Sequence, residues 1–483
     1  MGNNLIRNYV MALASISVLP YVETFAAKGE ALTDKKPNLV FVFADQLREQ
    51  ALGYTGDPNV MTPNIDRLAG ESVNIRNAIS CVPVSCPYRA SMLTGQYALS
   101  TGVFLNDVQL NPEINSVAKI YKKEGYNTAY IGKWHINGNG RTKYIKEEFR
   151  QGFEYFKALE CTHAYLRSKY FDNNDTIPKF WKGYDAIDQT KDAINYMKEH
   201  SKDDKPFILY LSWGGPHNPY EQVPDNYRKM YADKEIILRQ NVPANKREQF
   251  IKDLRGYYAQ ITALDDCIGM LQKAIKDMGI EENTIFVFTS DHGDMLGSQG
   301  MRWKQRPYDE SIRVPFLIKY PALLADKNRE TDMIINTPDI LPTLLGLSDI
   351  EIPESIEGDD LSDIITGEKE DYTDAALIEC ITPFADFRKG IGREYRGLRT
   401  KRYTYVRDLN GPWLMFDNLK DPYQQKNIID SPEYASIRKE LEDKLMKKLK
   451  ALGDEFRPGM EYINKWGYEV DKNGTVDWKA ANK

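Results

Sequence analysis

The chain is 483 residues long, with 42% hydrophobic and 28% charged residues, values of a globular protein large enough for one sizeable α/β unit plus a smaller appendage. Its net charge of −6 argues against a nucleic-acid or anionic-membrane binder, so any recognition of an anion has to be local. Five cysteines in this length do not make a disulfide framework. The odd number leaves at least one thiol free, and no CxxC pair suggests zinc.

In chain order, "MGNNLIR", the short apolar run "YVMALASISVLPYV" and "ETFAA" have the charge, length and small-residue ending of an export signal, placed at residues 1–26. The run is too short to span a membrane comfortably and no comparable segment follows. The mature protein is therefore expected to be exported, to a bacterial periplasm, without membrane association after cleavage.

Four apolar runs come next, each running into polar residues. "NLVFVF" leads to Asp45 and Gln46, "TAYIG" to Lys133 and His135, "FILYLSW" to His217, and "TIFVFTS" to Asp291 and His292. Continuous Val, Ile, Phe and Tyr without polar alternation is the signature of parallel strands buried on both faces. Between them lie helical patterns such as "DLRGYYAQITALDDCIGMLQKAIKDMG", apolar at three- and four-residue spacing. The alternation predicts an α/β fold with a large, mixed, mostly parallel sheet flanked by helices. Ligands of such sheets bind at the carboxyl ends of the strands, so the four polar clusters are expected to converge. The acidic stretch 350–373 reads as a linker. After it, "EYRGLRTKRYTYVRD" and "PWLMFDNL" read as strands of a small antiparallel sheet, and "SPEYASIRKELEDKLMKKLKALG" as a terminal helix ending at Gly453. The expected domains are 35–372 and an α+β subdomain, 373–483.

Within "SCVPVSCPYRASMLTG" three side chains compete for a chemical role. Cys81 has Pro83 two residues on but no cation at the fourth place, and Cys86 meets neither requirement. Ser85 has Pro87 at the second place, Arg89 at the fourth, and then "ASMLTG". This pattern resembles the signature of the formylglycine-dependent type I sulfatases of the alkaline phosphatase superfamily. The resemblance continues in family order through "VFVFADQ", "TPNIDRLA", "GYNTAYIGKWH", "GGPHNPY", "TSDHGDMLG", "KQRPYDESIRVP" and "LRTKRYTYVRD", about residues 37 to 430.

The resemblance implies a carbohydrate sulfatase. Ser85 would be oxidised to formylglycine by a dedicated maturase before or during export, since the Ser form of the motif belongs to bacterial members. Asp45, Gln46, Ser85, Asp291 and His292 would hold a divalent cation, with oxygen ligands suiting Ca²⁺ better than zinc. Gln46 and His292 depart from the more frequent Asp and Asn. Arg89 would orient the nucleophile, Lys133 and Lys304 would clamp the sulfate oxygens, His135 would assist sulfate departure, and His217 would be the general acid for the sugar oxygen, with Lys304 beside it. Of the remaining polar residues, His163 in "ECTHAY" and Arg393, Glu394 and Arg396 in "GIGREYRGLR" are candidate substrate contacts. Cys161, Cys267 and Cys380 read as buried or incidental.

The expected partners are a sulfated glycan as substrate and the maturase, with no nucleic acid, and the protein is expected to be a monomer or small homo-oligomer. Two alternatives stay open at this point. One is a phosphodiester or phosphonate monoester hydrolase of the same superfamily. The other is an inactive protein that captures sulfated glycans.

Overall fold

The computed structural model describes residues 35–385 and 392–477; the expected signal at 1–26 lies outside them. Eleven strands form one sheet: β1 (Asn38–Asp45), β2 (Val73–Ile79), β3 (Asn127–Lys133), β4 (Tyr155–Leu159), β5 (Lys169–Asp172), β6 (Asp175–Phe180), β7 (Phe207–Pro216), β8 (Thr284–Ser290), β9 (Arg313–Val314), β10 (Phe316–Lys319) and β11 (Arg329–Asn336). Their order is β11-β2-β10-β8-β1-β7-β3-β4-β5-β6, with β9 paired to β2. The four strands expected from their apolar runs are the adjacent central quartet β8-β1-β7-β3, all parallel. Antiparallel pairs occur toward the two sides, β10 with β8 and β2, and β5 with β4 and β6.

The two-residue period of a strand explains why β1 reads as continuously apolar. Leu39, Phe41 and Phe43 enter the core on one face, whereas Val40, Val42 and Ala44 enter the core on the other. The first core receives the helix Ser85–Thr94 through Tyr88, Ala90, Met92 and Leu93, and the second receives the long helix Arg247–Asp277. Both faces being covered, functional groups are left to the strand ends.

A second sheet of four antiparallel strands follows: β12 (Ala375–Cys380), β13 (Tyr395–Thr400), β14 (Tyr403–Asp408) and β15 (Gly411–Asp417). The terminal helix Ala435–Ala451 adds Leu441, Leu445 and Leu449 to the core that also takes Leu377, Leu398 and Tyr405 from this sheet. The boundary expected at 372/373 falls just before β12, yet the core is continuous across it, and residues on both sides belong to one compact unit.

The acidic stretch 350–373 is packed rather than a free linker. Leu361, Ile364 and Ile365 are buried, and Glu357 accepts hydrogen bonds from the Tyr97 backbone N–H and the Ser100 hydroxyl. Ile350 at its start, Leu361 at the N-cap of the short helix Ser362–Thr366, and Ile364 and Ile365 within that helix anchor it in the core.

Candidate active site

Ser85 is the first residue of the helix Ser85–Thr94, whose N-terminal dipole favours negative charge there. Its hydroxyl lies 3.4 Å from Asp45 Oδ2 at the end of β1 and 3.3 Å from His292 Nε2 beyond β8. The competing thiols are turned away from the pocket. Cys81 is buried 3.7 Å from Glu379 Oε2, and Cys86 Sγ accepts the Asp107 backbone N–H at 3.2 Å. Burial pushes both thiols up from their ordinary range. All five cysteines are free.

Asp45 and Asp291 are fully buried. Asp45 Oδ2 accepts from Lys133 Nζ at 2.5 Å and Arg89 Nη2 at 3.0 Å. Burial alone would raise this carboxyl, but Lys133, His217, Lys304 and Arg89 hold it well below the usual carboxylate range. Asp291 Oδ1 accepts the backbone N–H groups of Gln46 and His292, each at 2.9 Å, and its Oδ2 faces Arg89 at 3.3 Å. Burial and the Asp45 charge push Asp291 up, to about 6, as expected of two carboxylates sharing one site. Arg89 ties this pair to the scaffold by donating also to Ser212 Oγ (2.7 Å) and the Lys133 carbonyl (2.8 Å).

The donor set fits a hard divalent cation. Asp45 Oδ1 is buried with no hydrogen-bond donor. One ligand atom each from Asp45, Asp291 and His292 lie within 4.8 Å of one another. His292 Nδ1 is 3.0 Å from the Gly293 carbonyl, which assigns its proton to Nδ1 and leaves the Nε2 lone pair toward Ser85. Burial and Lys304 keep that ring neutral, the form that ligates metals. Gln46 is oriented by Asp294, which accepts from its Nε2 at 2.6 Å, so that Oε1 accepts from Lys304 Nζ at 3.0 Å. Gly293 is required here, because a Cβ would fall 2.1 Å from the Glu310 carbonyl oxygen.

A pocket of about 310 Å³ opens over Ser85, lined among others by Lys133, His135, His217 and Lys304. His217 Nδ1 lies 2.7 Å from the Asn218 carbonyl and its Nε2 lies 3.1 Å from Lys304 Nζ. Burial and Lys304 hold His217 well below the ordinary histidine range, and burial lowers Lys304. His135, with left-handed φ of 60°, has its Nε2 3.4 Å from Asp107 Oδ1, and burial lowers its pKa. Lys133 follows Gly132, which no other residue could replace, since a Cβ would meet the Ser212 carbonyl oxygen at 2.0 Å.

The candidate substrate contacts divide. His163 lines the pocket and stacks on His217 at 4.8 Å between ring centres, with 5° between planes. Arg396 is fully buried, its Nε 2.5 Å from Asp454 Oδ2 and 3.5 Å from Glu379 Oε1. It fastens the small sheet to the C-terminal segment and cannot reach a substrate. Arg393 pairs with Asp408 at 2.5 Å, stacks on Trp413, and with Glu394 lines a different recess. Cys161, expected to be incidental, lines the active pocket 3.9 Å from His163 Nε2. Burial opposes ionisation there, but Lys133, His135 and His163 hold the thiol well below its usual range.

Sequence reading missed Asn106, Asp107, Arg141, Trp303 and Asp294, all in loops outside the four strand-end clusters except Asp294, which ends "DHGD" and could have been taken with it.

The Sulfatase family model matches residues 37–350, and a model of the C-terminal region of N-sulphoglucosamine sulphohydrolase matches 297–451. An ulvan-active sulfatase of Formosa agariphila is 48% identical over 466 residues, 96% of this chain and 90% of that protein. An endo-4-O-sulfatase of Bacteroides thetaiotaomicron is 30% identical over 83% of this chain and 90% of its own length. Among solved structures, a 4S-sulfatase from glycosaminoglycan metabolism in Bacteroides thetaiotaomicron superposes with a TM-score of 0.79 at 27% identity, covering 89% of this chain and 99% of that one.

Proposed function

The chain belongs to the sulfatase family and is a sulfuric ester hydrolase; from that premise we propose that it removes sulfate from a glycan, with residue 85 acting as formylglycine and Ca²⁺ held beside it. The observation that carries the proposal is the convergence of Ser85 Oγ with Asp45 and His292, at 3.4 and 3.3 Å, below a pocket furnished with two lysines. One relative reported above is named for its activity on ulvan and the next is named an endo-4-O-sulfatase, which supports a glycan substrate.

Oxidation of the Ser85 alcohol to an aldehyde removes two hydrogens, so a maturase must supply the oxidant. The hydrated aldehyde would offer one hydroxyl to attack sulfur and displace the sugar oxygen, and a second whose loss of a proton would re-form the carbonyl and release sulfate from the first oxygen. Asp45, Gln46, Asp291, His292 and residue 85 would hold the cation, which would lower the pKa of the hydrate and orient it. Displacement at sulfur develops negative charge on the transferred group, which Lys133 and Lys304 meet as buried ammonium charges.

The sugar oxygen is a poor leaving group and needs a proton. The Lys304 Nζ and His217 Nε2 atoms, 3.1 Å apart, share a proton at the pocket wall, while the Asn218 carbonyl fixes the ring. The acid is therefore the pair rather than the imidazole alone. His135, kept neutral by burial, has the capacity to take a proton as sulfate departs. We place the mature enzyme in the periplasm, on the export signal expected at 1–26.

Sulfate release from a panel of defined sulfated mono- and disaccharides, with Ca²⁺ and with chelator, tests the proposal. The expected result is chelator-sensitive desulfation of at least one sugar. Cleavage of phosphodiesters without sulfate release would establish the phosphoesterase reading, and tight binding without turnover the inactive binder.

A further inference from the structure

Asp294 is fully buried, and its two oxygens serve different ends. Oδ1 accepts the backbone N–H groups of Leu296 at 3.0 Å and Trp303 at 2.9 Å, which closes the loop that leads into Lys304. Oδ2 accepts from Gln46 Nε2 at 2.6 Å, at the end of β1, and from the Tyr220 hydroxyl at 2.5 Å, in the segment after β7 that also carries His217. One carboxylate thus touches three walls of the site.

The two ends of a primary amide match in shape and differ in chemistry, and Gln46 lies between partners that admit a single orientation. An ionised carboxylate only accepts and an ammonium only donates. Asp294 therefore takes Nε2, and Lys304 Nζ takes Oε1 at 3.0 Å. The backbone of Gln46 is fixed independently, with a left-handed φ of 69°, its N–H donated to Asp291 Oδ1 at 2.9 Å and its carbonyl accepting the Tyr257 hydroxyl at 2.8 Å. In a fully buried side chain, turning the amide end for end is the change that needs no extra space. It would present the NH2 group to the Lys304 ammonium and to the cation, and Asp294 opposes it.

We infer that Asp294 is a positioning residue, whose Oδ2 keeps the Gln46 amide oxygen directed to Lys304 and available to the divalent cation. The inference rests on the cation reading above, in which Gln46 is a ligand, and adds to it a residue that acts through Gln46 alone.

Ca²⁺ binding followed by calorimetry tests this on four proteins, the wild type, Asp294→Asn, Gln46→Glu and the double variant, with residue 85 shown by peptide mass to be in the same state in all. Asp294→Asn leaves an oxygen for the Leu296 and Trp303 N–H groups but sets an NH2 against Gln46, which turns the amide over. Ca²⁺ affinity should fall roughly tenfold or more. In the Gln46→Glu background the same change should not weaken binding. A carboxylate at position 46 has no wrong end, repels Asp294 and accepts from the introduced NH2, so the double variant should bind Ca²⁺ at least as tightly as Gln46→Glu alone. A carboxylate that only supports its own loop, or acts only through its charge, predicts an equal loss in both backgrounds. That result would overturn the inference, as would an Asp294→Asn protein within about twofold of wild type. If Asp294→Asn alone does not fold, the two Gln46→Glu proteins decide, a roughly tenfold loss in the double variant being the contrary result. Absence of Ca²⁺ binding by the wild type would instead bring down the cation reading, and this inference with it.

Discussion

Replacing Arg89 with alanine removes the cation that holds both buried carboxylates. Its Nη2 lies 3.0 Å from Asp45 Oδ2 and 3.3 Å from Asp291 Oδ2, with the side chain 1% exposed. At these separations each contact amounts to about 5 kcal/mol of attraction before desolvation is counted. Breaking a buried ion pair of this kind costs about 3–5 kcal/mol in stability, because the stranded carboxylate remains in a dry site. Arg89→Lys keeps the charge but loses the fork that also reaches Ser212 and the Lys133 carbonyl, so it should fall between. Thermal melting in chelator and in millimolar Ca²⁺ measures the effect. Arg89→Ala should melt several degrees lower in chelator and recover more on adding Ca²⁺ than the wild type, since its cation site is more negative. The deficit should shrink from pH 8 to pH 5, as Asp291, already pushed up to about 6, takes a proton. An Arg89→Ala protein within about 0.5 kcal/mol of wild type in chelator would refute this electrostatic account.

Two further substitutions give separable outcomes. His217→Ala should lower kcat on sugar sulfates by about 10²–10⁴ while costing far less on activated aryl sulfates, whose leaving groups need little protonation; equal losses on both would deny the Lys304–His217 pair its acid role. Asp185 is buried with Oδ1 unpartnered, and burial pushes it up to about 7. The folded state then holds a proton that the unfolded state releases near pH 4, so stability falls as pH rises through roughly 4 to 7, by up to about 4 kcal/mol. Asp185→Asn should flatten that slope in denaturant titrations, and an unchanged slope would show that this carboxyl is not its source.

The central sheet was legible because strands buried on both faces must be apolar at every position, as 39–44 are in β1. Ser85 was legible because Pro87 and Arg89 stand at fixed distances from it. Arg141 and Asp107 were not, since loop residues carry no periodicity and their meeting depends on how two loops fold over the pocket. Arg396 misled for the opposite reason. An arginine inside a short strand gives no sign in sequence that Asp454, 58 residues on, will bury it. The acidic stretch 350–373 misled because its buried side chains, Ile350, Leu361, Ile364 and Ile365, are outnumbered by charges.

The mass of the tryptic peptide carrying residue 85, taken from active enzyme, tests the central claim most directly. The account predicts a peptide lighter by two hydrogens at that residue, in a fraction that tracks specific desulfation activity across preparations. Full activity in enzyme whose residue 85 is entirely unmodified serine would contradict it.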